Sequence, residues 1–168
     1  MVFFIFLQAV CPTEDTLFLT IHEKWQWKPA SYLMQGISVS AHPAVEVCAP
    51  AVFFLRGRED IGEQNICGVI GCYAAVVSLK TLINRQRPHG EHDRWDSSFP
   101  SGHTAAAFLQ SYVIGYHYPG YRIPLYAYAT AVGFSRIYLG KHYPTDVIVG
   151  AAIGLIAGYL TTRLLNSD

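Results

Sequence analysis

Three clusters of polar residues interrupt otherwise apolar segments in the second half of this chain, and they limit what the chain can fold into. The clusters are Lys80-x6-Arg87-Pro88, Pro100-Ser101-Gly102-His103 and Ser135-Arg136-x5-His142-x3-Asp146. Together they hold basic side chains, two imidazoles and a carboxylate. Because isolated charges are costly beside apolar segments, the pattern favours a fold that gathers the three clusters into one site.

The basic residues of these clusters suit the binding of a phosphoryl group. Arg87 and Arg136 each present a planar fork of donors that matches two phosphate oxygens, and Lys80 supplies a compact positive charge. Ser101 and Gly102 precede an apolar run, so we expect them to open a helix whose first N–H groups bind an anion. The sequence therefore predicts a phosphate site, and positioning and charge stabilisation are the main contributions of proteins to phosphoryl transfer.

The two histidines of the clusters suit two different catalytic roles. His142 and Asp146 are four residues apart, and Pro144 between them fits the first turn of a helix, so the two side chains share a face. A carboxylate that fixes the imidazole tautomer leaves the other ring nitrogen free to attack phosphorus. His103 lies beside the predicted anion cradle and is suited to protonate the leaving oxygen.

The order and spacing of the clusters resemble the motifs of the type 2 phosphatidic acid phosphatase (PAP2) superfamily, which includes lipid phosphatases, soluble bacterial acid phosphatases and vanadium haloperoxidases. The resemblance covers residues 80–146. It implies phosphate binding by Lys80, Arg87, Ser101, Gly102 and Arg136, acid catalysis by His103, a phosphohistidine at His142 and orientation of that histidine by Asp146. It also implies a reaction without a metal, and the sequence shows no competing cluster with metal-ligand spacing.

The composition lies on the membrane side of an average soluble protein, and the apolar segments decide for a membrane protein. Hydrophobic residues make up 51% of the chain and charged residues 14%, which is more apolar than an average soluble domain. Basic and acidic residues balance at 12 each, so the charge gives no reason to expect nucleic acid binding. Four segments are apolar enough to be membrane-embedded helices arranged as two hairpins, namely residues 66–83, 104–118, 123–139 and 147–165.

The N-terminal part carries weaker signals. Residues 30–55 contain His42, Pro43, Glu46 and Pro50, and we predict one kinked spanning helix there. The apolar residues 2–10 are too few to cross a bilayer, and tryptophans follow at positions 25 and 27, so residues 1–30 are predicted to lie at the membrane interface. The expected fold is one all-α domain over residues 1–168, a transmembrane bundle of about five or six helices with a PAP2-like core.

Gly150, Gly154 and Gly158 recur every four residues along the last predicted helix. Small residues at this spacing let helices approach closely in lipid. The pattern fits either a homodimer or packing within one chain. Packing within the chain is favoured because the same helix begins at the candidate catalytic residues and has to be held firmly.

The resemblance and the apolar helices together predict a membrane lipid phosphatase. Small bacterial members imply phosphatidylglycerophosphate, phosphatidate, undecaprenyl diphosphate or a lipid A phosphate as the substrate, and the motifs do not choose among these lipids. The expected location is a bacterial cytoplasmic membrane, with the site on its outer face. Two alternatives stay open at this point: a soluble-type acid phosphatase of the same superfamily, and a non-catalytic membrane protein that binds lipid.

Overall fold

A computed structural model describes residues 11–89 and 96–166, and within them all regular structure is helical. This part of the chain forms seven α-helices: α1 (Cys11–Leu19), α2 (Lys28–Ser40), α3 (Pro43–Leu55), α4 (Glu59–Ile83), α5 (Gly102–His117), α6 (Arg122–Tyr138) and α7 (Pro144–Leu164). A π-helical turn, Thr20–Lys24, continues α1, and a 3-10 turn, Pro119–Tyr121, joins α5 to α6. The predicted all-α class is confirmed, whereas the predicted interfacial segment 2–10 lies outside the described residues.

The closest packing in the bundle is between α5 and α7. A Cβ atom added at Gly150 or Gly154 would overlap the main-chain carbonyl oxygen of Ser101 or Ala105, respectively. One added at Gly158 would lie 2.8 Å from the Cβ atom of Tyr112. The predicted packing of this glycine row within the chain is therefore confirmed, and it brings the two helices together backbone to backbone.

Two helices, α4 and α7, are long and apolar enough to cross a membrane among the described residues, with 25 and 21 residues. Both keep large apolar side chains on the outer surface, such as Ile70 of α4, 64% exposed, and Ile148 of α7, 67% exposed. Helices α5 and α6 have 16 and 17 residues, somewhat fewer than the roughly 20 residues of a typical span. Length and composition thus support two membrane-spanning helices, and the predicted number of five or six transmembrane helices stays a prediction.

The prediction of a single kinked helix over residues 30–55 is wrong. The chain leaves α2 at Ala41 and His42, and α3 begins at Pro43. Proline fixes its φ angle and lacks an N–H group, so it is tolerated better at a helix start than within a helix. Pro50, however, lies inside α3 without ending it. The break forms a corner between α2 and α3.

The ends of α4 and α6 and the starts of α5 and α7 lie at one side of the bundle. Helix α4 stops at Asn84, which adopts the left-handed conformation and donates its N–H to the carbonyl of Lys80. Gly140, with φ 68°, reverses the chain between α6 and α7. The N–H of Ser101 donates to the Asp146 carbonyl at 3.0 Å, which fixes the start of α5 against the first turn of α7.

Candidate active site

The polar clusters converge on a cavity of about 210 Å³ at this end of the bundle. Six of the eight residues singled out from the sequence line it: Lys80, Arg87, Gly102, His103, Arg136 and His142. Tyr73, Val76, Val77 and Asp96 also contribute to the lining. The other two candidates, Ser101 and Asp146, are fully buried next to the cavity. The cavity therefore gathers three basic side chains and both candidate catalytic histidines.

His142 presents one ring nitrogen to the basic side chains and is held through the other. Its Nδ1 lies 2.7 Å from the carbonyl oxygen of Ser98. A carbonyl only accepts hydrogen bonds, so Nδ1 carries the proton and Nε2, 3.2 Å from Nη1 of Arg87, carries the lone pair. Burial lowers the pKa of His142 to about 4, against the opposing effect of Asp146. The ring is thus neutral near pH 7, as a nucleophile requires.

Asp146 supports His142 differently from the arrangement predicted from the sequence. Its carboxylate lies 3.7 Å from Nδ1 of His142, beyond hydrogen-bond distance, and the Ser98 carbonyl is the direct partner of the ring. The Asp146 oxygens accept instead from Nη1 of Arg85 at 2.8 Å, from the Tyr143 N–H at 2.8 Å and from the Ser98 hydroxyl. Asp146 therefore reaches His142 only indirectly, across 3.7 Å and through Ser98, and its orienting role stays a prediction.

Arg85 joins Asp146 to the first described helix. Its Nη2 donates to Glu14 of α1 at 3.0 Å, and its guanidinium lies 4.0 Å from the ring centroid of Tyr143. Glu14 is buried and also accepts the Thr145 N–H at 2.9 Å, at the start of α7. Burial by itself lowers the pKa of Arg85, but the carboxylates of Asp146 and Glu14 outweigh it and hold this pKa above its ordinary value.

Lys80 reaches the cavity from α4, and Arg87 reaches it from the segment that follows α4. Arg87 donates through Nη1 to the Lys141 carbonyl at 2.8 Å and through Nη2 to the Asp96 carboxylate at 2.6 Å. This ion pair holds the pKa of Asp96 below its ordinary value. Lys80 donates to the main-chain carbonyl of Ser97. A phosphate that binds both arms of Arg87 has to replace the Asp96 carboxylate.

The end of α2 and the corner after it contact two of the side chains that line the cavity. Nη1 of Arg136 donates to the buried Ser38 hydroxyl. Nε of Arg136 is buried without a hydrogen-bond acceptor among the described residues, so it is a donor suited to an anion in the cavity. The ring of His42 packs edge-on against His103 with 5.9 Å between the centroids. Two residues outside the sequence motifs thus contact candidate catalytic groups.

The start of α5 matches only part of the anion cradle expected there. Gly102 lines the cavity as the first residue of α5, where a helix has N–H groups without intrahelical partners. The hydroxyl of Ser101 pairs with that of Thr104 at 2.8 Å, and its N–H is used by the Asp146 carbonyl. Phosphate contact through Gly102 fits this geometry, and contact through Ser101 stays a prediction.

Sequence reasoning missed Ser38, His42, Arg85, Asp96 and Ser98, which contact the candidate site residues, and Glu14, which contacts Arg85. Arg85 had a usable signal, because it lies two residues before Arg87 in the same polar segment. Glu14 had none, since it is 71 residues from Arg85 and 131 from Thr145. Within residues 11–89 and 96–166, no three His, Cys, Asp or Glu side chains are grouped so as to hold a metal ion, and metal independence stays a prediction.

Comparison with known proteins identifies the family. The model of the PAP2 superfamily matches residues 65–167. The undecaprenyl-diphosphatase BcrC of Bacillus subtilis is 38% identical over 140 residues, which cover 78% of this chain and 72% of that protein. The chain spans only 25% to 39% of the length of three lipid A 1-phosphatases that it also matches.

Two solved structures share the fold. The crystal structure of LpxE from Aquifex aeolicus has a TM-score of 0.80 and 28% sequence identity, over 90% of this chain and 95% of that one. A transmembrane PAP2-type phosphatidylglycerolphosphate phosphatase from Bacillus subtilis has a TM-score of 0.76 and 25% identity, over 97% and 92% of the two chains. The resemblance inferred from the three clusters is confirmed: this chain belongs to the PAP2 superfamily.

Proposed function

We propose that this protein is a membrane phosphatase that hydrolyses a phosphomonoester or diphosphate of a lipid. The observation that carries the proposal is the convergence of Lys80, Arg87 and Arg136 with His103 and His142 on one cavity. Such a cavity matches the negative charge of a phosphoryl group and supplies two imidazoles for proton and group transfer. Relatives named undecaprenyl-diphosphatase and phosphatidylglycerolphosphate phosphatase support a lipid phosphate as the substrate.

The first step of the proposed reaction transfers the phosphoryl group to His142. The Nε2 lone pair forms a bond to phosphorus while the bond from phosphorus to the lipid oxygen breaks, and His103 in its protonated form gives a proton to that oxygen. Arg87, Arg136 and Lys80 stabilise the charge on the non-bridging oxygens. The contact of Nδ1 with Ser98 and the Asp146 charge 3.7 Å away stabilise the positive ring that results.

The second step returns the enzyme to its starting state. His103, now neutral, takes a proton from water, the oxygen of that water attacks phosphorus, and the bond from phosphorus to Nε2 of His142 breaks. Inorganic phosphate leaves, and His103 is protonated again. The reaction thus needs only substrate and water, and we propose that it proceeds without a metal.

The lipid character of the substrate rests on the surroundings of the site. Helices α4 and α7 are apolar enough to cross a membrane, and both reach the cavity end of the bundle, where α4 contributes Lys80 and α7 follows His142. We propose that α4, α5, α6 and α7 are embedded as two hairpins of one domain, with residues 11–30 at the interface. A substrate whose tail stays in the membrane then presents its phosphate to the cavity.

The test of the function is phosphate release by purified protein in detergent. The panel contains phosphatidylglycerophosphate, phosphatidate, undecaprenyl diphosphate, a lipid A phosphate and water-soluble p-nitrophenyl phosphate. We expect turnover of at least one lipid with a kcat/KM well above that for the soluble ester. Exclusive turnover of the soluble ester would favour a soluble-type acid phosphatase, and no turnover of any compound would reject the catalytic proposal.

We further propose that the site faces the outside of a bacterial cytoplasmic membrane. Lys141, exposed beside the cavity, and Glu59, exposed at the opposite end of α4, mark the two faces. In a chain without its four native cysteines, a cysteine at position 141 is expected to react with a membrane-impermeant thiol reagent in intact spheroplasts. A cysteine at position 59 is expected to react only after lysis. The reverse pattern would place the cavity in the cytoplasm.

A further inference from the structure

We infer that Glu14 and Arg85 form a positioning pair that orients Asp146, so that α1 is a working part of the active site. Arg85 lies between two buried carboxylates, 2.8 Å from Asp146 and 3.0 Å from Glu14, and its own side chain is 14% exposed. Neither Glu14 nor Arg85 lines the cavity. The inference rests on the proposed function of His142 and Asp146.

The geometry makes each member of the network depend on the others. Removing the Arg85 guanidinium leaves two buried carboxylates without their cation, and an unpaired buried charge is strongly destabilising. The Glu14 carboxylate accepts from Arg85 and from the Thr145 N–H, and Glu14→Gln removes its charge from beside Arg85 while it keeps an amide oxygen that can still accept the Thr145 N–H. Glu14 therefore holds both Arg85 and the first turn of α7, where a carboxylate is favoured by the helix dipole.

The effect reaches His142 through the orientation of Asp146. The Oδ1 atom of Asp146 has Arg85 as its donor, while Oδ2 receives the Ser98 hydroxyl and the Tyr143 N–H. The Ser98 carbonyl in turn accepts from Nδ1 of His142. Without Arg85, the Asp146 carboxylate loses the hydrogen bond that fixes Oδ1, so its orientation is less well defined. The position of Ser98, which bonds to Oδ2, then becomes less well defined too, and with it the contact of the Ser98 carbonyl that sets the tautomer of His142.

A pair that acts through Asp146 has a kinetic signature different from that of a phosphate ligand. Loss of orientation reduces the stabilisation of the positive phosphohistidine ring, which forms only after binding. We therefore expect Arg85→Gln to lower kcat by about 100-fold and Glu14→Gln by about 5-fold to 10-fold. In both variants KM and the affinity for vanadate, a phosphate analogue, should stay within about 3-fold of wild type.

The experiment compares Arg85→Gln, Arg85→Lys, Glu14→Gln and the double variant Glu14→Gln/Arg85→Gln. Arg58→Gln is the matched control, because Arg58 also pairs with a carboxylate, Asp60 at 3.1 Å, but at the opposite end of α4. Arg85→Lys keeps the positive charge and should recover part of the lost kcat. The double variant should be no slower than Arg85→Gln, since Glu14 acts through Arg85.

A second readout does not need turnover. In the folded wild type, the ¹⁵N chemical shifts of His142 should report a proton on Nδ1. They should move toward a mixture of tautomers in Arg85→Gln and stay unchanged in Arg58→Gln. If the wild type hydrolyses no compound of the panel, the proposed function fails, and the ¹⁵N shifts still decide the inference. If Arg85→Gln does not fold, kcat and the ¹⁵N shifts of His142 are compared in Glu14→Gln and Arg85→Lys instead.

Three results would overturn the inference. The first is that Arg85→Gln keeps the wild-type kcat and the wild-type ¹⁵N shifts of His142. Where Arg85→Gln does not fold, the same result in both Glu14→Gln and Arg85→Lys would overturn the inference. The second is a loss of vanadate affinity in proportion to kcat, which would make Arg85 a phosphate ligand. The third is additive loss of kcat in the double variant, which would show that Glu14 and Arg85 act independently.

Discussion

The four C-terminal helices and the three N-terminal helices contribute to the cavity in different ways. Helices α4 to α7 and their connections supply all the basic residues and histidines that line it. Helices α1 and α2, with the corner before α3, supply Glu14, Ser38 and His42, which contact Arg85, Arg136 and His103. The residues proposed to touch the substrate thus lie in one region, and several residues that hold them lie in the other.

This difference shows which contacts a short sequence motif can predict. A motif contains residues whose spacing is set by local structure, such as His142, just before the N-cap of α7, and Asp146, in the first turn of that helix. The contacts of the N-terminal region depend on how the complete bundle packs, so the spacing of residues in the sequence does not predict them. Variants in each region can therefore separate direct participation in the reaction from support.

The largest effect is expected in the C-terminal region, at the proposed nucleophile. His142→Ala should lower turnover by at least about 10⁴-fold, because no other group takes over the attack on phosphorus. Acid-quenched reactions with ³²P-labelled substrate should contain a phosphoenzyme in the wild type and none in the variant. His117→Ala, which changes a histidine bonded to Gln64 elsewhere in the bundle, is the control. A folded His142→Ala protein with wild-type turnover would refute the assignment.

The next effect concerns the scaffold of the C-terminal region. In Gly154→Ala, the added methyl group would overlap the Ala105 carbonyl oxygen, and such overpacking typically costs about 1–3 kcal/mol. Gly71→Ala is the matched control, since a Cβ atom there meets nothing within 4 Å. The control should be neutral or stabilised by up to about 1 kcal/mol through helix propensity. Thermal unfolding in detergent measures both, and equal stability of the two variants would contradict the close approach of α5 and α7.

The pH dependence tests the burial of His142. This residue has to be neutral to attack, and its pKa is lowered to about 4. The acid limb of the pH profile should therefore lie near pH 4, with activity falling about tenfold per pH unit below it as His142 becomes protonated. A basic limb at higher pH would report the loss of the His103 proton that the first step requires. The measurement is kcat/KM against pH, corrected for the ionisation of the substrate followed by ³¹P NMR. An acid limb near pH 6.5 would mean that His142 is as solvated as a free histidine.

A smaller effect is expected from the N-terminal region. Ser38→Ala removes the hydroxyl that accepts from Arg136, and one such hydrogen bond contributes about 1 kcal/mol. Vanadate affinity should fall about 5-fold, with kcat less affected. Ser31→Ala, which changes a hydroxyl bonded to Gln26 and Trp27 away from the cavity, is the control. An unchanged affinity in Ser38→Ala would confine phosphate binding to the C-terminal region.

No effect is expected from metal removal. The three basic side chains of the cavity supply the positive charge that a metal would otherwise provide. Activity after exhaustive chelation should match that of untreated protein, measured on the same lipid. Loss of activity on chelation, with recovery on adding a divalent ion, would disprove the mechanism.

The sequence predicted the C-terminal region well, because its signals are local. Apolar runs predicted α4 to α7, and the clusters at their ends predicted that Lys80, Arg87, His103, Arg136 and His142 meet. The row of glycines likewise predicted close packing of α7 within the chain.

Predictions failed or stopped short where a contact depends on the whole fold. The break at Ala41 and His42 was missed because Pro43 can kink a helix as well as start one, and only packing decides between them. The direct partner of His142 was missed because it is a main-chain carbonyl, that of Ser98, which leaves no mark in the sequence. Glu14 is one acidic residue among 12 Asp and Glu, without any local pattern to single it out.

The long separation between Glu14 and Thr145 has a consequence for the synthesis of the protein. These two residues are 131 positions apart and bonded to each other at the base of the site. Glu14 leaves the ribosome long before its partner exists, so its carboxylate has to remain hydrated while the intervening helices are made and inserted. The catalytic centre can close only after α7 has been translated, because contacts of such long range form late in folding. A chain arrested before α7 is therefore expected to lack the proposed activity altogether.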